Sequence, residues 1–481
     1  QRVERQHRHL LAVLASASHQ VLCIPRGDLR RNIERVPSRW ILQIASAVAG
    51  ERWWSEELLA AKRDWLTHVA SFDAGLRHMA FPATEQEHRL RYLMAQGSTR
   101  LSLPVLTATR DVTLGAGAEV VAARRSDRFT RFDGNLGGLQ PPSPAERVTS
   151  ATRLEGWAAC PFAYLLRNVL GVDEVENPED ELRITPRDKG SLVHQALEDF
   201  IGEVLSRPSA DQPGPSEPWS PSDRARMVEI CERVSAEYED RGLTGRPIFW
   251  RQDKKRILAD LLRFLEEDSD VRRKDGTRPL AAELAFGLPD VVLGTVALDL
   301  PDGRSVQFRG KADRVDVGTD GTLRVLDYKT GKADDYRGLN EGNPDAQGRR
   351  LQLPVYGQAA RLFREIPDAP VRAEYWFVSA RGGFERVGYS VTPAVLAHVG
   401  ETLGTVVNGI EAGVFPHHPT ASSTTPWVEC AYCDPDDMGV AEERRQFERK
   451  QADPAMASFV KLAQPFEEPV PEGGSERRPD A

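Results

Sequence analysis

Two short segments hold the residues best suited to chemistry. They are Gly310-Lys-Ala-Asp313-Arg-Val-Asp316 and Val325-Leu-Asp327-Tyr-Lys329, with a Gly-Thr-Asp-Gly turn between them. On a strand, residues two apart share a face, so Asp327 and Lys329 project together, and a hairpin brings Asp313 alongside them. Two carboxylates and an ammonium then meet at one point. Hard divalent cations such as Mg²⁺ or Mn²⁺ prefer carboxylate oxygens and keep open positions for a phosphate and an attacking water, which is what phosphodiester hydrolysis requires. A compact charge such as Lys329 suits three roles there: lowering the pKa of that water, orienting it, or stabilising charge in the transition state. The plainer alternative is an exposed hairpin carrying a solvent-facing ion pair.

Two companions add weight. Gly190-Ser-Leu-Val-His194 opens an amphipathic helix whose apolar stripe runs through Val193, Leu197 and Ile201. His194 lies beside that stripe, as a packed core residue or as a ligand, and Gly190 permits close approach of the backbone to something. In Gln352-Leu-Pro-Val-Tyr356 the Gln and Tyr stand four apart on one helix face, placed to hold a DNA phosphate or the lysine.

The elements that must position these residues follow from periodicity. Residues 1 to about 135 read as helical, with amphipathic stretches near 51–70 and 85–96, and prolines interrupt the pattern at Gln140 to Ala145. A second helical region spans about 150–270, broken by Arg207 to Asp223, whose Pro, Ser and Asp content predicts a poorly ordered loop. The period then changes to two, predicting strands at Ala281–Leu288, Val292–Leu300, Ser305–Val317 and Leu323–Tyr328. A helix at Gln352–Phe363, strands at Val371–Ser379 and Arg386–Val391, and a helix at Ala394–Ala412 complete an α/β unit. The expected division is a helical region at 1–140, a catalytic domain at 141–462 and a disordered tail at 463–481.

The chain has 481 residues, 40% hydrophobic and 28% charged, with a net charge of −9. That composition fits several soluble globular domains, and no apolar run is long enough to span a bilayer. The acidic balance argues against coating of nucleic acid along the whole surface, but not against one local positive channel. Five unevenly spaced cysteines and no secretory signal point to a reducing cytoplasm, where clustered cysteines suggest metal. The chain starts at Gln1 without an initiator methionine and is expected to be cut from something larger.

Taken in order, Gly-x-x-x-His, an upstream acid, Gly-x-x-Asp-Arg-x-Asp, Asp-Tyr-Lys and Gln-x-x-x-Tyr resemble the RecB-like branch of the PD-(D/E)XK nucleases. The resemblance implies a helical N-terminal region followed by a restriction-endonuclease-like mixed sheet flanked by helices. By it, His194, Asp313 and Asp327 are metal ligands, the Tyr328 carbonyl adds another, Glu283 is the upstream acid, and Lys329 is the catalytic lysine, with Gln352 and Tyr356 beside it. The stretch Thr149-Ser-Ala-Thr-Arg-Leu-Glu155-Gly-Trp-Ala-Ala-Cys160-Pro-Phe-Ala-Tyr164 resembles the domain entry of AddB-type proteins. There the cysteine belongs to an iron-sulfur cluster, of the 4Fe-4S kind, and Cys430-Ala-Tyr-Cys433 supplies two further cysteines. The pattern's fourth cysteine falls on Gly439, so the fourth ligand is Asp434, Asp436, a distant histidine such as His417 or His418, or nothing protein-derived, and zinc stays open. Cys23 and Cys231 read as small buried residues.

Segments around Ile24-Pro-Arg-Gly-Asp28 and Val36-Pro-Ser-Arg39 resemble the end of a helicase-like part, and no Walker phosphate loop occurs. The expected function is exonucleolytic, metal-dependent DNA cutting with a helicase partner, or with a helicase region upstream, in double-strand break repair. The competing readings are a DNA-guiding subunit that does not cut, and a stand-alone nuclease of the CRISPR-adaptation kind.

Overall fold

The computed structural model describes residues 2–28, 33–95, 112–173, 182–418, 430, 432–434 and 440–463. Of the expected tail, 463–481, residues 464–481 lie outside the described residues, as do Asp436 and Gly439, whereas Ala463 ends a helix. The chain divides into two compact units, Gln1–Arg125 with Asp434–Ala441, and Ser126–Cys433 with Glu442–Ala481.

The described elements of the first unit are mainly helices, including Arg2–Ala15, Arg39–Ala49, Glu85–Ala95 and Val112–Arg125. A small core forms where Ala45, Trp53 and Leu58 meet Ile41, Leu42 and Leu66. The helix expected near 51–70 is only Ser55–Ala60. Ala61 turns extended, and Arg63 bridges Leu66 in a tight turn instead. Cys23, expected to be buried, is exposed, because it lies in a stretch without helix or strand; Cys231 is fully buried.

In the second unit, helix α1 (Ala151–Ala159) precedes α2 (Pro186–Ser206), α3 (Pro221–Asp240) and α4 (Pro247–Asp275). Strands β1 (Thr277–Phe286), β2 (Val296–Asp299), β3 (Ser305–Phe308), β4 (Gly310–Gly318) and β5 (Leu323–Lys329) follow. The unit continues through α5 (Gln352–Arg364), β6 (Val371–Phe377), β7 (Arg386–Ser390) and α6 (Pro393–Glu411). Five strands form a mixed sheet in the order β1-β4-β5-β6-β7, antiparallel except for the parallel pair β5 and β6. Strand β5 is central, and alternate side chains enter opposite cores. Leu323 and Val325 face the core shared with α1, α5 and α6, whereas Leu326 and Tyr328 face the core built by α2, α3 and α4. The result is a helix–sheet–helix sandwich whose central strand ends in the candidate catalytic residues.

Two sequence expectations need correction. The strand expected over Ser305–Val317 is two strands: β3 pairs with β2 in a separate two-stranded sheet, while β4 joins the main one. The break falls at Arg309, whose backbone N–H bonds to the Thr149 carbonyl at 2.8 Å. Alternation alone carries no record of such a change of partner. The segment Arg207 to Asp223 is fixed rather than loose. The Trp219 indole, itself buried, donates to Asp268 at 2.8 Å, and Arg272 donates to the carbonyls of Gly214 at 3.0 Å and Glu217 at 2.9 Å.

That segment closes over a buried ion network. Arg314 bonds Asp268 at 2.7 Å and chelates Asp316 at 2.6 and 2.8 Å, with all three side chains inaccessible or nearly so. Buried charges persist only when paired and hydrogen-bonded. The Arg and second Asp of the Gly310–Asp316 motif therefore bind sheet to helix α4, behind the candidate site rather than in it.

Candidate active site and a cysteine triad

The ladder between β4 and β5 ends at Arg314 opposite Leu326. Continuing that register sets Asp313 opposite Asp327, but the strands no longer pair there. The Asp313 carboxylate takes over the free donor: its Oδ2 accepts the Tyr328 backbone N–H at 2.6 Å, and its Oδ1 lies 3.1 Å from His194 Nδ1. Asp327 and Lys329 form an ion pair through Oδ2 and Nζ. The lysine also donates to Gln352 Oε1 at 3.1 Å, and Gln352 Nε2 donates to Tyr356 Oη at 3.3 Å. One helix from each face of the sheet thus reaches the splayed end of the hairpin, α2 with His194 and α5 with Gln352.

Local sequence explains the placement. Helix α2 starts with Pro186 after Thr185, whose hydroxyl accepts the Asp188 N–H at 3.0 Å. Its buried residues include Val193, Ala196, Leu197 and Ile201, which sets His194 at the rim of the cleft. Gly190 is not demanded by packing, since an added Cβ would meet Thr330 at an ordinary 3.7 Å. Gly310 is more closely packed: a Cβ there would lie 3.0 Å from the Phe286 ring and 3.4 Å from that of Tyr356, so those rings would have to give. Glu283 on β1 lies opposite Asp313, between the pairs Ala282–Arg314 and Leu284–Ala312. Its φ of 46°, uncommon for a residue with a side chain, accompanies a carboxylate that borders the cleft and pairs with Lys311 at 2.9 Å.

The electrostatics are those of charges held where water is scarce. Burial drives the His194 imidazole toward its neutral form, but the Asp313 carboxylate, with Asp327 behind it, outweighs this and raises it above the ordinary histidine value. Burial pushes Asp327 up, against the pull of Lys329. Lys329 is likewise disfavoured by burial, yet Asp327 raises it, so it stays an ammonium. Asp327 Oδ2 is buried and faces the Lys329 ammonium. The Asp327 carboxylate, Asp313 and the His194 imidazole make a donor set suited to a hard divalent cation at the edge of an open cleft. The set is not drawn tight, because Asp313 is turned to His194 and Tyr328 while Asp327 faces Lys329; among the described residues, three ligand atoms within 4.8 Å of one another occur only in the cysteine triad. The Tyr328 ring is buried against Phe264 at 5.5 Å, and its backbone stands between Asp327 and Lys329.

Sequence reasoning gives no role to two acids that the structure brings in. Glu198 lies one helical turn after His194, borders the same cleft, and is raised by burial and by Glu283. The four-residue spacing from His194 is the signal that could have found it. Glu155, on α1, is buried behind Lys329 and is raised to about 7 by burial, against the Leu351 N–H and the charges of Arg350 and Lys329.

At the other end of the domain Cys160 Sγ lies 3.6 Å from the sulfurs of both Cys430 and Cys433. Hydrogen bonds from those two thiols hold Cys160 well below the ordinary thiol value despite burial, helped by the backbone N–H groups of Ala163 and His418. The same contact pushes Cys430 up to about 12 and raises Cys433 as well. Three converging soft sulfurs fit iron or zinc. Of the candidate fourth ligands, His418 Nδ1 bonds the Ala159 carbonyl at 3.1 Å and His417 stacks on Phe162 with ring centroids 3.7 Å apart, so neither completes the triad.

The family model described as the PD-(D/E)XK nuclease superfamily matches residues 148–437 of this chain. Among curated relatives, an ATP-dependent helicase/deoxyribonuclease subunit from Symbiobacterium thermophilum is 30% identical over 256 residues, 47% of this chain and 21% of the relative. The protein of the same description from Lacticaseibacillus paracasei is 24% identical over 392 residues, 76% of this chain and 30% of the relative. That from Desulforudis audaxviator is 32% identical over 224 residues, 44% and 17% respectively. The matched part of this chain therefore spans under a third of each of these relatives.

Proposed function

Because the chain belongs to the PD-(D/E)XK nuclease superfamily, we propose that its second unit is a Mg²⁺- or Mn²⁺-dependent deoxyribonuclease that hydrolyses phosphodiester bonds, exonucleolytically. In this reading it is the nuclease part of a helicase–nuclease complex acting in double-strand break repair and recombination in the cytoplasm. The helicase comes from a partner or from sequence upstream, and the helical region, 1–140, is a remnant of that helicase-like part joined to the nuclease domain, 141–462. No described helix is long and apolar enough to cross a membrane.

The observation that carries the proposal is the convergence of His194, Asp313, Asp327 and Lys329 where the hairpin splays. His194, Asp313 and Asp327, with the Tyr328 carbonyl and Glu283, would hold the cation, which when bound supplies Lewis-acid activation of water and phosphate. The chain's own contribution is positional and electrostatic. Asp313 orients the His194 ring, Asp327 keeps Lys329 charged, and Gln352, braced by Tyr356, aims the ammonium at the cleft. The test is metal removal and add-back on the purified chain. Cutting is expected to vanish in chelator and return with Mg²⁺ or Mn²⁺; equal cutting in chelator would reject the proposal.

The cysteine triad is proposed to hold an iron-sulfur cluster, of the 4Fe-4S kind, that ties together the ends of the nuclease domain. Three thiols converging from those ends support it, with Cys160 Sγ 3.6 Å from both other sulfurs. A second reading, one zinc ion, is favoured by the 3.6 Å sulfur separations. Thiolates at a zinc–sulfur distance of about 2.3 Å around one tetrahedral ion lie about 3.8 Å apart.

A further inference from the structure

Helix α5 begins at a residue that cannot cap it. Leu351 is its N-cap residue and makes no side-chain cap hydrogen bond. The first N–H groups of a helix have no partner within it and are normally met by a Ser, Thr, Asp or Asn at this position. Here the acceptor comes from far away in sequence: Glu155 Oε1, on α1, accepts the Leu351 backbone N–H at 2.6 Å. A carboxylate at that end also meets the positive end of the helix dipole.

The preceding loop is held at Asp345, which accepts the Arg350 N–H at 2.9 Å and the Gly348 N–H at 3.3 Å, and Glu155 adds the contact at Leu351 itself. Ala346 and Gln347 adopt left-handed φ values of 46° and 55°, costly for residues with side chains, and Gly348 follows at 84°. The next residue after Leu351 is Gln352, whose Oε1 receives the Lys329 ammonium at 3.1 Å. The path from Glu155 to Lys329 is thus one backbone N–H, one residue of helix and one side-chain hydrogen bond. Burial of a carboxylate disfavours its charged form and is tolerated where a defined donor meets it; Glu155 has such a donor and lies beside the charges of Arg350 and Lys329.

We propose that Glu155 is a positioning residue for Lys329: by capping α5 from outside, it sets Gln352, and through Gln352 the ammonium. The inference rests on the nuclease reading of Lys329, and the role lies in the hydrogen-bond acceptor, which glutamine retains.

The variants are Glu155→Met, which fills the space without an acceptor, Glu155→Gln, Gln352→Ala and the double variant Glu155→Met/Gln352→Ala. Two readouts are taken on the full chain. In hydrogen–deuterium exchange, amides of residues 351–356 are expected to exchange about tenfold faster or more in Glu155→Met and within about twofold of the parent in Glu155→Gln. In DNA cleavage with Mg²⁺, Glu155→Met is expected to lower kcat about 10–100-fold with KM nearly unchanged. Glu155→Gln restores most of it, and adding Glu155→Met to Gln352→Ala costs less than about twofold more, because both act on one path. Parent-like exchange in Glu155→Met, equal loss in the Met and Gln variants, or additive losses in the double variant would each overturn the proposal. A parent chain that cuts no DNA would instead overturn the nuclease reading, and the exchange readout would still decide whether Glu155 caps α5.

Discussion

Lys329 and Asp327 are each pushed by burial toward their neutral forms, and each pulls the other back toward its charged form. Truncating the lysine therefore strands a buried carboxylate, at about 3–5 kcal/mol, so loss of activity in Lys329→Ala would mix folding with chemistry. Asp327→Asn keeps the shape and removes the charge, and is the cleaner probe. Replacing His194 by Ala is expected to lower cutting by loss of a metal contact, with partial rescue at higher Mn²⁺. A variant that melts earlier with unaltered metal dependence would make His194 a packing residue. Glu155 gives a prediction in pH. Its folded value, about 7, lies above that of an unfolded glutamate, so the folded state binds the extra proton between the two. This contribution to stability is present at low pH and is lost as pH rises through about 7. The parent should lose stability between about pH 5 and 7 more than Glu155→Gln does, by up to about 1.4 kcal/mol per pH unit. Equal pH dependence of their urea midpoints would contradict the assignment.

Between elements, the buried Arg314 joins β4 to α4 through Asp268 and Asp316, and Asp268 in turn holds Trp219 and Arg272. Arg314→Met leaves two buried carboxylates short of their partner and is expected to cost about 3–5 kcal/mol in urea unfolding, with faster hydrogen exchange over residues 207–223. An unchanged midpoint would show the network to be dispensable. Much of this architecture was legible in the sequence, because alternation along Leu323–Lys329 and Val371–Phe377 and the four-residue stripe after His194 are set by burial itself. The motif spacings also named the residues that converge. What periodicity missed depends on distant partners: the break at Arg309 is set by Thr149, and the order of residues 207–223 by Trp219 meeting Asp268. At the cysteine end, Cys160→Ser should loosen the nuclease domain. The parent prepared without oxygen should contain iron and acid-labile sulfide; a colourless protein with one zinc would replace the cluster by the single-ion reading and leave the nuclease proposal standing.

At the scale of the molecule, a chain with net charge −9 can hold DNA only through local positive charge, and backbone contacts of that kind are sensitive to salt. Affinity for DNA is expected to fall by about tenfold or more between 50 and 200 mM salt, in the parent and in Asp327→Asn alike. A salt-independent affinity would argue against phosphate contacts as the basis of binding. The matched superfamily segment, residues 148–437, contains every residue proposed to act in cutting, so the nuclease account stands apart from what the helical first unit does. Single-turnover cleavage of end-labelled DNA with Mg²⁺, by the parent and by Asp327→Asn at matched fold and matched DNA binding, tests the central claim most directly. The account predicts cutting by the parent and a loss of at least about a hundredfold in the variant. Cutting by Asp327→Asn at the parent's rate would contradict it.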